Sequence, residues 1–140
     1  MQIIANRGYP AEKHTVITPD GYILTLHRIP HGRNGAGGGR PILFLHGLVC
    51  SSFDFLSAPA NRALSYSLAD AGYDIWLGNN RGNIYSNAHV NYSNWDNRFW
   101  EFTWDEMSDF DVPTMIDYVL NTTAQPDLYV IGWSQVEVAI

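Results

Sequence analysis

The sequence contains few cysteines and few basic residues, and each shortage excludes a class of protein. Cys50 is the single cysteine among 140 residues, so the chain forms no internal disulfide. Lysine and arginine together number 8 against 14 acidic residues, which gives a formal net charge of −6 at pH 7. Nucleic-acid-binding domains carry clustered basic residues, so this balance argues against nucleic acid as a partner.

Long apolar runs and metal-binding patterns are also missing. No run approaches the ~18–20 apolar residues of a membrane span, and residues 1–10 lack the basic segment and apolar core of a signal peptide. The histidines show no metal-ligand spacing, and the acids at 105, 106, 109 and 111 are typical of a helix start rather than of a metal site. We therefore predict no transmembrane segment, no metal and no cofactor.

The residues that are present indicate one packed domain that begins with a β-hairpin. Hydrophobic residues make up 46% of the chain and charged residues 16%, a balance typical of globular proteins. Two β-branched runs, residues 15–18 and 22–29, flank the turn formers Pro19-Asp20-Gly21, which predicts the hairpin. Residues 31–40 contain five glycines and predict a flexible loop. A phosphate-binding loop is disfavoured because neither the Lys-Ser/Thr pair nor a following helix pattern is present.

A strand–helix–strand unit follows the loop. Residues 41–45 are continuously apolar, residues 61–72 have apolar positions at helical spacing, and residues 73–77 are again apolar apart from Asp74. Short links between these elements predict a parallel βαβ unit. Residues 83–102 predict a long loop. Thr103 and Glu106 have the spacing of a capping box, and we expect a helix that is interrupted at Pro113 and restarts with Asp111 as its cap.

The last predicted strand leads directly to the strongest candidate for a catalytic residue. Residues 128–131 are apolar without alternation, which predicts a strand buried on both faces. Gly132 and Ser134 follow, in the order found at a nucleophile elbow, although Val136 occupies the position of the second elbow glycine. The simpler interpretation is a serine that caps a helix.

His46-Gly47-Leu48 strengthens the catalytic interpretation. These residues follow an earlier parallel strand, where the second oxyanion donor of such a site is found. The donors would be the backbone N–H groups of Leu48 and Gln135, with Ser134 as the nucleophile. We expect His46 to shape the turn rather than to transfer protons, and we do not expect Cys50 to act as a catalytic thiol.

Taken together, these segments resemble the acid lipase family of α/β-hydrolases, the gastric and lysosomal type. The resemblance extends from about Gly8 to Gln135 and rests on an ordered series of matches: residues 8–10, 18–24 and 27–30, then 46–48, 68–79 and 81–83, then 99–100, 105–107 and 111–113, and finally 132–135. It implies a partial α/β-hydrolase lipase domain. Residues 8–40 would form the lipase-associated hairpin and loop, and residues 41–135 a mostly parallel β/α core up to the elbow.

The resemblance also implies a function, the hydrolysis of carboxylic esters in neutral lipids. In this family the catalytic Asp and His follow the nucleophile, whereas all five histidines of this chain precede Ser134. We therefore expect the chain to end before its base and to be inactive as it stands. The alternative is a non-catalytic fragment that binds a lipid or a protein.

The resemblance bears on the cellular compartment as well. The family is secretory, which implies a secreted or lysosomal protein and a signal peptide upstream of Met1 in the complete gene. The triplets Asn91-Tyr92-Ser93 and Asn121-Thr122-Thr123 are glycosylation sequons and agree with that compartment.

Overall fold

The structure is a computed structural model that describes residues 1–35 and 37–134. Its strands are β1 (Glu12–Ile17), β2 (Tyr22–Ile29), β3 (Pro41–Leu45), β4 (Asp74–Leu77), β5 (Ala88–His89) and β6 (Tyr129–Gly132). Its helices are α1 (Gln2–Asn6), α2 (Asp54–Ser57), α3 (Leu64–Asp70), α4 (Trp104–Glu106) and α5 (Val112–Thr123), with a 3-10 turn at Asn97–Trp100 and a π-helical turn at Met107–Asp111.

The predicted hairpin is confirmed. Strands β1 and β2 pair antiparallel, with Thr15 opposite Thr25. In the turn, the Thr18 hydroxyl donates to the Asp20 carboxylate at 2.6 Å, and Gly21 has φ +99°. A Cβ at position 21 would also approach the His89 ring to 2.8 Å. Glycine is therefore required here by both conformation and space.

All strands of the described chain belong to one mixed sheet. The order is β1-β2-β4-β3-β6, with β5 paired to β2. Strand β3 lies parallel to β4 and to β6, which confirms the predicted parallel core. Strand β2 runs antiparallel to β4, so the hairpin extends the sheet rather than standing apart from it. The carboxyl ends of β3, β4 and β6 meet at one edge, where α/β proteins bind ligands.

The two faces of the sheet bury separate apolar clusters. Every residue of β3 and of β4 is buried, because helices cover both faces of these central strands. On one face, Phe44 and Ile75 pack against Tyr66 of α3. On the other, Leu43 and Trp76 lie in the same cluster as Met115 of α5. Each fully buried side chain of this size stabilises the fold by about 1.5–3 kcal/mol.

Three details differ from the sequence-based predictions. Strand β6 is half-exposed rather than buried on both faces, because within the described residues it has β3 as a neighbour on one side alone. Helix α3 begins at Leu64 rather than at residue 61. The helical segment passes Pro113 through the π-helical turn instead of breaking, which is one way a chain absorbs a missing backbone donor.

The capping predictions have opposite outcomes. Thr103 and Glu106 form the predicted capping box, and the Glu106 carboxylate accepts from the backbone N–H of Thr103 at 2.6 Å. Asp111 does not cap α5, so that prediction is wrong: its side chain is wholly buried and accepts from Arg81 instead. The longest described helix, α5, has 12 residues, and no helix in the described part of the chain is long and apolar enough to cross a bilayer.

Candidate active site

The turns after β3 and β6 lie side by side at the carboxyl edge of the sheet. Leu45 is opposite Gly132 in the parallel register, and the backbone N–H of Trp133 donates to the Leu45 carbonyl at 3.1 Å. The two strands therefore deliver His46-Gly47 and Trp133-Ser134 to the same place. The sequence predicted this meeting from strand order alone.

Ser134 has a backbone conformation that few residues of its type adopt. Its φ is +58°, in the left-handed region that disfavours side chains with a Cβ, and its side chain is exposed. A strained serine directly after a parallel strand is the defining feature of a nucleophile elbow. The chain therefore places an exposed serine in a strained conformation at the carboxyl edge of the sheet.

Gly47 allows the two turns to approach each other closely. A Cβ at this position would lie 2.9 Å from the Trp133 ring and 3.3 Å from the Cβ of Ser134. Any larger residue would displace the turn that carries Ser134. The loop after β3 therefore lies in contact with the candidate nucleophile, as an oxyanion donor must.

His46 is buried and both of its ring nitrogens are engaged. Nδ1 lies 2.8 Å from the Gly47 carbonyl oxygen, and Nε2 accepts the backbone N–H of Asn80 at 3.1 Å. A backbone N–H can only donate, so Nε2 carries no proton and Nδ1 donates to Gly47. Burial lowers the pKa of His46, against the opposing effect of the Gly47 hydrogen bond. These contacts support the predicted turn-shaping role.

An asparagine network holds the loop after β4 against the loop after β3. The Asn83 amide donates to His46 Nε2 at 3.0 Å and to Asn79 Oδ1 at 2.9 Å. Asn79 also accepts the backbone N–H of Ser52 at 3.0 Å and donates to the carbonyl of Thr25 in β2 at 3.0 Å. Sequence reasoning missed this network, although three asparagines within five residues after a buried strand were a signal.

Arg81 holds the same loop in place through buried ion pairs. Its guanidinium is wholly buried and pairs with Asp20 at 2.6 Å and with Asp111 at 2.7 Å. The guanidinium carbon also lies 3.9 Å from the centre of the Tyr22 ring. One side chain thus ties the hairpin turn and the start of α5 to the loop after β4. No local sequence pattern indicates that Arg81 binds these two carboxylates.

A cleft of about 520 Å³ opens beside these loops. Its walls come from residues 46–51 after β3, from residues 80–84 after β4, and from Trp100, Phe102 and Met107. Several of its apolar side chains face solvent, among them Leu48, Ile84 and Val49, the last with 96% of its surface exposed. The cleft therefore offers an apolar surface next to the polar network around His46.

The remaining sequence candidates are Cys50, the histidines and acids considered for a metal site, and the residues that follow Ser134. Cys50 borders the cleft, and a hydrogen bond to Asp54 raises the pKa of its thiol, which opposes a nucleophilic role. Among the described residues, no group of three or more histidine, cysteine or acidic side chains could hold a metal ion. Gln135 and Val136 lie outside the described residues, so the second predicted oxyanion donor and the missing elbow glycine have no structural account.

Comparisons with known proteins agree with this geometry. Residues 1–59 match the family described as the partial alpha/beta-hydrolase lipase region, and residues 40–135 match the alpha/beta hydrolase fold. An esterase from Pyrococcus furiosus is similar with a TM-score of 0.64 at 17% identity, over 94% of this chain and 45% of that one. An epoxide hydrolase from Vigna radiata is similar with a TM-score of 0.60 at 18% identity, over 92% and 32%. At such identities these structures establish the fold alone.

Relatives at higher identity are lipases. Gastric triacylglycerol lipase of Bos taurus is 49% identical over 137 residues, which are 96% of this chain and 34% of that protein. Human lysosomal acid lipase/cholesteryl ester hydrolase is 45% identical over 137 residues, with the same coverage. The chain thus spans about a third of the length of these curated relatives. By its fold and by these matches, the chain belongs to the α/β-hydrolase fold family, among the relatives of gastric and lysosomal acid lipases.

Proposed function

We propose that this chain supplies the nucleophile and the oxyanion loop of a serine hydrolase that cleaves neutral lipid esters. We use "oxyanion loop" for residues 46–50. The observation that carries the proposal is the strained Ser134 at the end of β6, in contact range of Gly47. Ser134 would attack the ester carbonyl, and the backbone N–H groups of Leu48 and Gln135 would stabilise the developing negative charge.

The lipid character of the substrate is supported by the cleft. An ester with long acyl chains needs an apolar surface near the site of attack, and exposed Leu48, Val49 and Ile84 provide one in the cleft beside the oxyanion loop. The relatives are a triacylglycerol lipase and a cholesteryl ester hydrolase by name. We infer a neutral lipid ester on both grounds.

The base that activates Ser134 must come from outside the described residues. Each histidine is hydrogen-bonded to groups other than Ser134: His14 to Tyr118 and Glu12, His27 to Ser52, His31 to Gly32, His46 to Gly47, Asn80 and Asn83, and His89 to Asp20 and Asn91. In this fold the triad follows the chain order Ser, Asp or Glu, His. We therefore place the acid and the base after Ser134.

A chimera tests the proposal. Residues 1–135 are joined to the part of bovine gastric triacylglycerol lipase that follows the position aligned with Gln135, and hydrolysis of a short-chain activated ester is measured. We expect turnover that is lost in the Ser134→Ala chimera. A chimera that unfolds cooperatively, and so is folded, yet shows no turnover above the Ser134→Ala control would overturn the proposal.

The relatives also support a compartment. We infer a secreted or lysosomal protein, because the relatives are gastric and lysosomal by name and because Asn91 and Asn121 of both sequons are exposed. Mass spectrometry of the native protein should find N-glycans at one or both positions. A cytosolic pool free of glycans would contradict this inference.

A further inference from the structure

The oxyanion loop can donate a hydrogen bond to a substrate only if the peptide group between Gly47 and Leu48 has the right orientation. All peptide bonds of the described residues are trans, so the N–H of Leu48 points opposite to the carbonyl of Gly47. That carbonyl is held from two sides, by His46 Nδ1 at 2.8 Å and by the backbone N–H of Cys50 at 3.2 Å. The direction of the Leu48 N–H therefore depends on where His46 carries its proton.

The loop after β4 determines which ring nitrogen of His46 carries the proton. The backbone N–H of Asn80 and the Asn83 amide NH₂ lie 3.1 Å and 3.0 Å from Nε2 of His46. A proton on Nε2 would therefore point at two hydrogen-bond donors, with no acceptor between them. The proton is therefore confined to Nδ1, where it binds the Gly47 carbonyl.

The orientation of the Asn83 amide is fixed in turn. Its Oδ1 accepts the backbone N–H groups of Tyr85 at 2.9 Å and of Ser86 at 3.0 Å. Its Nδ2 must then point to His46 and to Asn79 Oδ1. A flipped amide would lose all of these bonds, so the assignment of its oxygen and nitrogen is unambiguous.

We propose that Asn83 is a positioning residue for the oxyanion loop: it keeps His46 in the neutral Nδ1–H form, which holds the Gly47 carbonyl and directs the Leu48 N–H into the cleft. This rests on the proposed function, because an ester hydrolase is what needs a donor at that point. Asn83 touches no substrate in this role and acts through His46.

NMR of the chimera with ¹⁵N-labelled histidine tests the proposal without any turnover. In the wild type we expect His46 to show a protonated Nδ1 and a bare Nε2 at pH 7. Asn83→Asp keeps the shape and the acceptor oxygen but replaces the donor by a carboxylate. We expect this variant to place a proton on Nε2 of His46 and to shift the amide resonance of Leu48.

The matched control is Asn121→Asp, the same chemical change on an exposed position of α5, which should leave both signals unchanged. A wild-type His46 protonated at Nε2 would overturn the proposal, even if no variant folded. So would an Asn83→Asp protein whose His46 and Leu48 signals match the wild type. In the chimera, Asn83→Asp should lower kcat up to about 10²-fold with KM retained, as expected for a misplaced catalytic group. An inactive chimera would count against the proposed function and leave the NMR test intact.

Discussion

Arg81 and Asp111 form an ion pair with no exposed surface on either side chain. The guanidinium Nη2 lies 2.7 Å from Oδ1 of Asp111, and the backbone N–H of Arg81 donates to Oδ2 at 2.8 Å. Asp20, in the hairpin turn, binds the same guanidinium at 2.6 Å. Because the pair joins α5 to the loop after β4, its removal affects the framework of the site as well as its stability.

The first prediction concerns this pair. Asp111→Asn in the chimera should lower the free energy of unfolding by about 1–3 kcal/mol, because it removes one of the two carboxylates that bind the buried guanidinium. Urea denaturation measures the change. Asp96→Asn is the control, since Asp96 pairs with Arg98 at the surface and its loss should leave the midpoint unchanged. Equal midpoints for the two variants would show that the buried pair does not stabilise the fold.

Asp111 and Thr103 show which contacts can be predicted from the sequence and which cannot. Thr103 and Glu106 are three residues apart, so their capping box was visible locally and was confirmed. Asp111 was expected to cap a helix in the same way, but its partner Arg81 is 30 residues away. Local pattern cannot show which of two roles an aspartate takes when a distant cation competes for it.

In the candidate site, too, some features could be predicted from the sequence and others could not. Ser134 and the loop after β3 were predicted, because strand order places them at one edge of the sheet. The contacts of His46 with Asn80 and Asn83 were not, because they depend on how two loops fold over that edge. The two-residue strand β5 was also missed, since no periodicity can be read from so short a segment.

The second prediction concerns the pH dependence of stability. Burial lowers the pKa of His27 from 6.5 to about 4, and the N-terminal ammonium and Lys13 act in the same direction. The unfolded state then binds more protons than the folded state between these values, so stability falls as the pH drops from about 6.5 to 4. At ~1.4 kcal/mol per pKa unit, the loss is roughly 3 kcal/mol.

Urea denaturation of the chimera at several pH values checks this expectation. His27→Gln retains a side chain that can bond the Ser52 hydroxyl, the partner of His27 at 2.9 Å, but does not titrate. We expect a flatter stability profile in this variant between pH 6.5 and 4. An unchanged profile would assign the acid sensitivity to other groups.

The third prediction concerns the end of α5. Ala124 adopts the left-handed conformation, with φ 53° and ψ 33°, which costs a residue with a Cβ ~1–2 kcal/mol. Glycine ends helices in this conformation without strain, although it gains freedom in the unfolded chain. Ala124→Gly should therefore raise the free energy of unfolding of the chimera, measured by urea denaturation, by about 0.5–1 kcal/mol. Ala71→Gly is the control at the end of α3, where φ is −80°, and it should destabilise; a stabilising effect there would remove the conformational explanation.

The fourth prediction concerns β6 when residues 1–140 are expressed alone. Within the described residues the outer edge of β6 has no partner strand, and Tyr129 is 49% exposed. Unpaired strand edges with apolar side chains promote association. We expect this polypeptide to self-associate or to lack fixed packing in analytical ultracentrifugation and thermal unfolding. A monomer with a sharp, cooperative transition would prove the expectation wrong.

The last prediction is that residues 1–140 alone hydrolyse no ester. A serine hydroxyl is a weak nucleophile without a base, and the loss of one triad member already reduces the rate by several orders of magnitude. His46, the histidine at this edge of the sheet, cannot substitute for the base while Nδ1 binds Gly47 and Nε2 accepts from Asn80. Moving its ring towards Ser134 would break both bonds and release the oxyanion loop. His46 could then act as a base only if the Leu48 N–H lost its orientation as an oxyanion donor. The measurement is hydrolysis of a short-chain activated ester beside a Ser134→Ala control. Turnover above background that disappears in the control would mean that a base lies within reach of Ser134 in this polypeptide.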